Sequence, residues 1–256
     1  MEFVHIHPEA VIGKDVTIGP FTTIDRGVVI GDGCKIASNV TILSGARLGR
    51  NVTVFPGAVI SAIPQDLKFR GEDTTAEIGD NTVIRECVTI NRGTASKGKT
   101  VVGHDCLIMA YCHVAHDCRV HDHVIMSNAV QLAGEVEVDD YAIIGGGTLV
   151  HQFCHLGSHI MIQGGALINK DVPPFVKGAR EPLCYTGVNS IGLRRRGFSN
   201  EKIREIQDIY RRLYLSGMNV TDAVRAIRET LPATPERDEI LNFVEHSQRG
   251  IIKGYL

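Results

Sequence analysis

The 256-residue chain suits one large domain or two small ones. Its 43% hydrophobic content, mostly Ala, Val, Ile and Leu with no Trp, excludes intrinsic disorder, and 27 Gly without a three-residue period exclude collagen. With 27 basic against 29 acidic side chains it has no global attraction to nucleic acid or a membrane surface, so any anion site must be local.

The start, from Met1 to Pro8, shows no basic stretch followed by an apolar one. No apolar run approaches the ~18–20 residues that span a bilayer, so no transmembrane segment and a soluble cytoplasmic protein are expected. Seven Cys, an odd number in a chain this long, argue against a disulfide framework. The sequons at Asn39 and Asn51 then carry no meaning for glycosylation.

A six-residue repeat organises the first two thirds. Of the 28 positions from Ile6 to Ile168 that are multiples of six, 25 are Ile, Val, Leu or Met; Asp66, Glu72 and Ser96 are the exceptions. Such a period is incompatible with 3.6 residues per turn over this length and suits short strands joined by tight corners. Three hexads make one 18-residue coil, and stacked coils form parallel ladders about 4.8 Å apart. Twenty-eight hexads would give about nine coils by that spacing. Cys34, Cys106, Cys112, Cys118 and Cys154 all fall at the fifth position of their hexads, where Ala, Val or Thr otherwise stand, and read as small core fillers.

Polar segments interrupt the pattern at 64–77 and 93–100, where a site is expected on loops leaving a regular scaffold. The second segment, Gly93 to Thr100, matches the Walker A pattern letter for letter. That cradle needs a helix to begin directly after its Lys, whereas another β hexad follows Thr100, so an NTPase is rejected and a solvated Lys-rich loop expected. Beyond Pro173 and Pro174 the hexads stop. Ser199 caps a predicted helix carrying Ile203, Ile206, Tyr210, Leu213 and Tyr214, Thr221 opens a second, and Thr234 before Pro235 opens a third that ends near Gly250. The expected division is a β domain over 1–189 and a small α-helical domain over 190–256.

Eight of eleven His lie between His104 and His159. Counting 18 from His116 gives Gly134 and then Gln152, one column on one face, with His151 beside it and His113 three residues before it. A column holding a base, a glycine and an amide can form a transfer site.

The hexads resemble those of the hexapeptide-repeat acyltransferases, which implies a left-handed parallel β-helix. His113 to Cys118, taken with Gln65 to Lys68, Leu132 to Gly134, His151 to Cys154 and Gly187 to Phe198, is similar over essentially the whole chain to the UDP-N-acetylglucosamine O-acyltransferases of lipid A biosynthesis. The resemblance implies transfer of an (R)-3-hydroxyacyl group from acyl carrier protein to the 3-hydroxyl of UDP-GlcNAc, with no cofactor and no metal. It implies His116 as general base, Asp117 as its orienting acid and the Gly134 backbone N–H as oxyanion donor. Gln65, Asp66, Lys68, His113, Glu135, His151, Gln152, Asn189 and Arg195 are assigned to substrate, Arg195 being apt for a diphosphate, and Gly164 to the room left for the distal acyl chain. The family forms trimers with sites at subunit clefts, so a homotrimer is expected. Arg211 and Arg212 are candidate docking points for the acidic carrier protein.

Glu135 and Asn91 stand where many members carry His, which bears on acyl selectivity and on sugar choice, 3-amino variants included. Three other readings use the same scaffold. A hexapeptide acyltransferase using acyl-CoA lacks these nucleotide-sugar motifs. A γ-type zinc carbonic anhydrase would share the His116 and His121 offset, but no third ligand precedes them at the right distance. A non-catalytic scaffold would need no histidine column.

Overall fold

The computed structural model describes residues 3–254. Twenty-five short strands, from His5–Ile6 to Leu167–Ile168, wind as a parallel β-helix in which every third strand stacks on the last. Sheet I runs from His5–Ile6 to Leu167–Ile168, sheet II from Val11–Ile12 to His155–Leu156, and sheet III from Thr17–Ile18 through Met161–Ile162 into three further strands. The aliphatic residue of each hexad points inward. On sheet I, Ile24, Ile42, Ile60, Ile90, Val114, Leu132, Val150 and Ile168 are all 0–3% exposed, each burial worth roughly 1.5–3 kcal/mol.

The coil count differs from nine. Pairing of Ile60 with Ile90 spans 30 residues and of Ile90 with Val114 spans 24, against 18 for an uninterrupted coil, so the two loops insert twelve and six residues. Both are multiples of six, which is why the sequence register survives them. Asp66, Glu72 and Ser96 lie inside the loops, leaving a little over eight coils, about 40 Å of prism. The loops are also shorter than their polar composition suggests, covering 63–74 and 92–98, because Thr75–Ile78 and Lys99–Val102 already pair as strands.

Corners take left-handed backbone. Along the edge between sheets II and III, Asn51, Asn81, Asp105, His123, Tyr141, His159 and Phe175 all have φ between 53° and 66°, a region that Asn and Asp tolerate best. Asn51 Nδ2 donates to Asn81 Oδ1 at 3.3 Å and Asn81 Nδ2 to Asp105 Oδ1 at 3.1 Å. The same ladder then turns aromatic, with His123, Tyr141, His159 and Phe175 stacked at centroid spacings of 4.5, 4.9 and 5.5 Å. Asn39 and Asn51 are such corner residues, at φ of 56° and 55°. The five hexad cysteines are 0–2% exposed, and burial pushes the thiols of Cys106, Cys112 and Cys154 up to about 11 and that of Cys118 to about 12.

Strand Cys184–Val188 leads into four helices: α1 (Ser190–Arg195), α2 (Asn200–Leu215), α3 (Val220–Thr230) and α4 (Pro235–His246). Ser199 caps α2 and Thr234, followed by Pro235, caps α4, both accepting from backbone N–H groups. Asn219 rather than Thr221 caps α3, its side chain accepting from Asp222 N, and α4 stops at His246. Helix α1 is too short for periodicity to reveal. Among the described residues no helix is long and apolar enough to cross a membrane. The tail is tied to the prism: Lys253–Gly254 pairs with Cys184–Val188, and Tyr185 stacks on Tyr210 and Tyr214 at 5.3 and 4.7 Å.

Within the aromatic ladder, burial, helped by the nearby Arg196 charge, pushes the His159 imidazole down to about 4, and its Nδ1 has no hydrogen-bond partner. An unfolded imidazole titrates near ~6.5, so as pH falls from there toward 4 the unfolded chain gains a proton that the folded chain refuses, and stability declines by an amount on the order of 2 kcal/mol. His159→Phe keeps the stack and removes this term. Thermal melts at pH 7 and pH 4.5 should show a smaller drop in Tm for the variant than for the wild type.

Candidate active site

Five successive coils turn from sheet I to sheet II along one edge. In order these corners carry the 63–74 loop, the 92–98 loop, residues 115–118, residues 133–136 and residues 151–154. Sequence therefore deposits the long loops directly beside the histidine column.

Asp117 is fully buried at a left-handed corner, φ 60°. Its Oδ1 accepts from the backbone N–H groups of Thr94 at 2.9 Å and Lys97 at 3.2 Å, while Oδ2 accepts from Thr94 Oγ1 at 2.6 Å and faces His116 Nδ1 at 2.8 Å. Its own N–H donates to Thr100 Oγ1 at 2.8 Å. Burial alone would raise the carboxyl, but the hydrogen bonds from Thr94 and His116 and from the backbone outweigh it and hold Asp117 below the ordinary carboxylate value. The Walker-like segment is thus more than a solvated loop. A strand follows it, yet its backbone does cradle an anion: the carboxylate of Asp117. Thr94 and Thr100, both buried, were invisible to sequence reasoning because their partner lies 23 and 17 residues away.

An ionised carboxylate only accepts, so Nδ1 of His116 carries its proton and Nε2 presents a lone pair. That nitrogen sits against the next coil. A Cβ built on Gly134 would lie 2.6 Å from both His116 Nε2 and Cε1, which means that glycine makes room for the imidazole itself. The expected room for a substrate is a further consequence of the same missing side chain. Among the described residues the Gly134 N–H has no acceptor. One coil on, Gln152 and His151 are exposed, His151 Nδ1 lying 3.1 Å from Gln152 O.

His113 stands one strand before the corner, its Nδ1 2.7 Å from Thr89 Oγ1; burial and the neighbouring His116 charge lower its pKa. Glu135 is tethered to the loop that clamps Asp117, accepting from Ser96 Oγ at 3.2 Å and lying 4.0 Å from Lys97 Nζ. The 63–74 loop leaves the same edge two coils from His116. Asn91 Nδ2 pins its base by donating to Ile63 O at 3.1 Å, and the Arg92 guanidinium lies 5.5 Å from the Phe69 ring centroid. Asp66 Oδ1 accepts from Lys68 N at 2.9 Å, shaping the loop tip from which Gln65 and Lys68 project into solvent.

Three expected site residues stand elsewhere in the chain. Asn189 caps α1, accepting from Gly192 N at 3.2 Å and donating to His159 O at 2.9 Å, so it belongs to the edge between sheets II and III, as does the exposed Arg195 on the same helix. Gly164 lies on the third edge, between sheets III and I, where a Cβ would meet Gly146 O at 3.0 Å. Within one chain these residues and His116 are on different edges of the prism.

The family described as Udp N-acetylglucosamine O-acyltransferase, Domain 2, matches residues 171–252, and the bacterial transferase hexapeptide repeat matches 27–62 and 99–134. The chain is 51% identical over 249 residues to an acyl-[acyl-carrier-protein]–UDP-N-acetylglucosamine O-acyltransferase from Alkalilimnicola ehrlichii, covering 97% of this chain and 96% of the relative. A solved UDP-N-acetylglucosamine acyltransferase from Bacteroides fragilis superposes with a TM-score of 0.97 at 54% identity over 99% of both chains. Another from Francisella novicida gives 0.96 at 38% identity over 99% of this chain and 93% of that one. These likenesses establish the left-handed sense of the coil.

Replacing Thr94 by Val removes one hydrogen bond from a buried carboxylate, a loss of about 1–3 kcal/mol. Because Asp117 is held below its unfolded value, that stabilisation exists above the ordinary carboxylate range and vanishes as pH falls through the folded value. Urea unfolding of Thr94→Val should show a deficit at pH 7 that narrows at acid pH, with Thr94→Ser close to wild type.

Proposed function

The chain belongs to the UDP-N-acetylglucosamine O-acyltransferases, and from that premise we propose that it moves an (R)-3-hydroxyacyl group from acyl carrier protein to the 3-hydroxyl of UDP-GlcNAc, opening lipid A biosynthesis. The observation that carries the assignment of roles is the juxtaposition of an oriented imidazole, His116, with the backbone of Gly134 on the next coil. A sugar hydroxyl is too weak an acid to attack a thioester unaided. His116 Nε2 takes its proton while the oxygen bonds to the thioester carbon, and Asp117 stabilises the imidazolium through Nδ1. The carbonyl oxygen, now an oxyanion, accepts from the Gly134 N–H. Collapse breaks the carbon–sulfur bond, and the imidazolium returns its proton to the departing thiolate of the carrier.

The exposed Gln65, Lys68, His151 and Gln152 on the same edge, together with Asp66, His113 and Glu135, suit the sugar and the acyl carbonyl region. Asn189, Arg195 and Gly164 reach such a site from neighbouring copies. A homotrimer of parallel prisms, in which the I–II edge of one copy lies against its neighbours, supplies them, and Arg195 then offers its guanidinium fork to a diphosphate. Arg211 and Arg212 are both exposed on α2, the first paired with Asp208 and the second donating to Thr230 Oγ1 at 2.6 Å. They offer positive charge to an acidic carrier. A chain acting in this way works in the cytoplasm.

His116→Ala should lower acyl transfer by roughly 10²–10⁴-fold, the range for a lost general base, while circular dichroism and assembly size stay unchanged. Full activity in that variant would sink the assignment. Mass spectrometry of the product from UDP-GlcNAc and a mixture of 3-hydroxyacyl carrier proteins and acyl-CoA identifies donor, sugar and chain length together; an acyl-CoA preference would favour a different hexapeptide acyltransferase.

A further inference from the structure

On the outward face of sheet II, four side chains that acyl transfer does not use converge. His121 Nε2 lies 3.2 Å from Glu137 Oε1 and 4.0 Å from Asp139 Oδ1, and His155 Nε2 lies 2.9 Å from both oxygens of Asp139. They come from three successive coils, in which Arg119 pairs with Glu137 and Glu137 with His155. One ligand atom each from His121, Glu137 and Asp139 falls within 4.8 Å of the others. Four-coordinate zinc with bonds of 2.0–2.1 Å places neighbouring donor atoms about 3.3 Å apart, so the two His121 separations bracket what such an ion requires.

Charge points the same way. Among the described residues the side-chain hydrogen bonds to Glu137 and Asp139 come from the two imidazoles alone, and neither carboxylate is ion-paired with Lys or Arg. The hydrogen bond to Glu137 raises the His121 pKa, and against the cost of burial Asp139 raises that of His155, so the two carboxylates already draw positive charge to this cluster. Glu137 and His155 also line a cavity of about 340 Å³ whose wall includes Lys97 and Glu135, so the cluster borders it on their side.

We propose that His121, Glu137 and Asp139 bind a divalent transition-metal ion, zinc fitting the donor set best, and that His155 orients Asp139 from outside the coordination sphere. This departs from the sequence expectation of no metal. The ion ties neighbouring coils beside the loop that holds Asp117 and takes no part in the transfer chemistry.

The test uses the full-length protein after treatment with chelator, in a Cys87→Ser background so that the exposed thiol of Cys87 is not the ligand. Titration with zinc by calorimetry and with cobalt by visible absorption should give one equivalent per chain and a rise in Tm. His121→Ala and Asp139→Asn should lose saturable binding, and His155→Ala should weaken it roughly 10–100-fold, as loss of an orienting partner does. Acyl transfer by the metal-free His121→Ala protein should match that of the metal-free parent. Glu137→Gln, nearly isosteric, repeats the test if either of the first two variants melts early. Absence of saturable binding in the parent, or binding retained by the ligand variants, overturns the proposal.

Discussion

The fixed rise of a coil, 18 residues for about 4.8 Å of height, is the constraint on which the rest of the molecule depends. Because every coil closes on itself, a residue's place on the prism is set by its number modulo 18, corrected only for inserted loops. That arithmetic puts His116, Gly134 and Gln152 in one column, and it puts the imidazole close enough to the next coil that only glycine fits there. The prism interior is too narrow for rings, so aromatic residues are found at corners and on the tail, and the prism core is Ile, Val, Leu, Ala and Cys with Met126.

A regular column of this kind is rigid but chemically bland, and the loops supply what it lacks. The 92–98 loop folds back over the edge and delivers two backbone N–H groups and a hydroxyl to Asp117. A buried carboxylate without these donors would be driven toward its neutral form, and a neutral acid would do little for a charged imidazole. The regular coils set the spacing of the proposed reacting groups, and the irregular loop holds Asp117 in its ionised form.

The parts legible in the sequence are those written by local pattern. The hexad register predicts the strands, the inward aliphatics and the cysteine positions, and Ser199 and Thr234 announce their helices because capping is a local act. Loop conformation was illegible for the opposite reason: the Walker-like segment is shaped by Asp117, a partner more than 15 residues away, and composition alone made it a solvated Lys-rich stretch. The coil count was overstated because two insertions happened to be twelve and six residues long, preserving the very phase that was being counted. Helix α1 and the cap role of Asn189 escaped because six residues leave no periodic trace. The III–I edge of Gly164 follows from the register once the insertions are known, whereas Asn189 and Arg195 lie beyond the hexads and are placed by the contact of Asn189 with His159 O on the II–III edge.

Asn91 and Glu135, where the sequence resemblance leads to an expectation of His, can be judged from where they attach. Asn91 is buried and spends its amide on the base of the 63–74 loop, while Glu135 reaches across the edge to Ser96 and Lys97 on the 92–98 loop. Neither side chain bonds to the side chain of His116 or Asp117, and Glu135 meets His116 through the main chain, its N–H donating to His116 O at 3.0 Å. Each side chain tethers one of the two loops that flank the column, so a change at Asn91 or Glu135 acts on loop position and, at Glu135, on the negative charge beside Gly134. In the proposed reaction, selectivity for sugar and acyl chain therefore has a route to vary in this chain apart from the proton transfer, because the side chains that tether the loops are not the proposed base and acid.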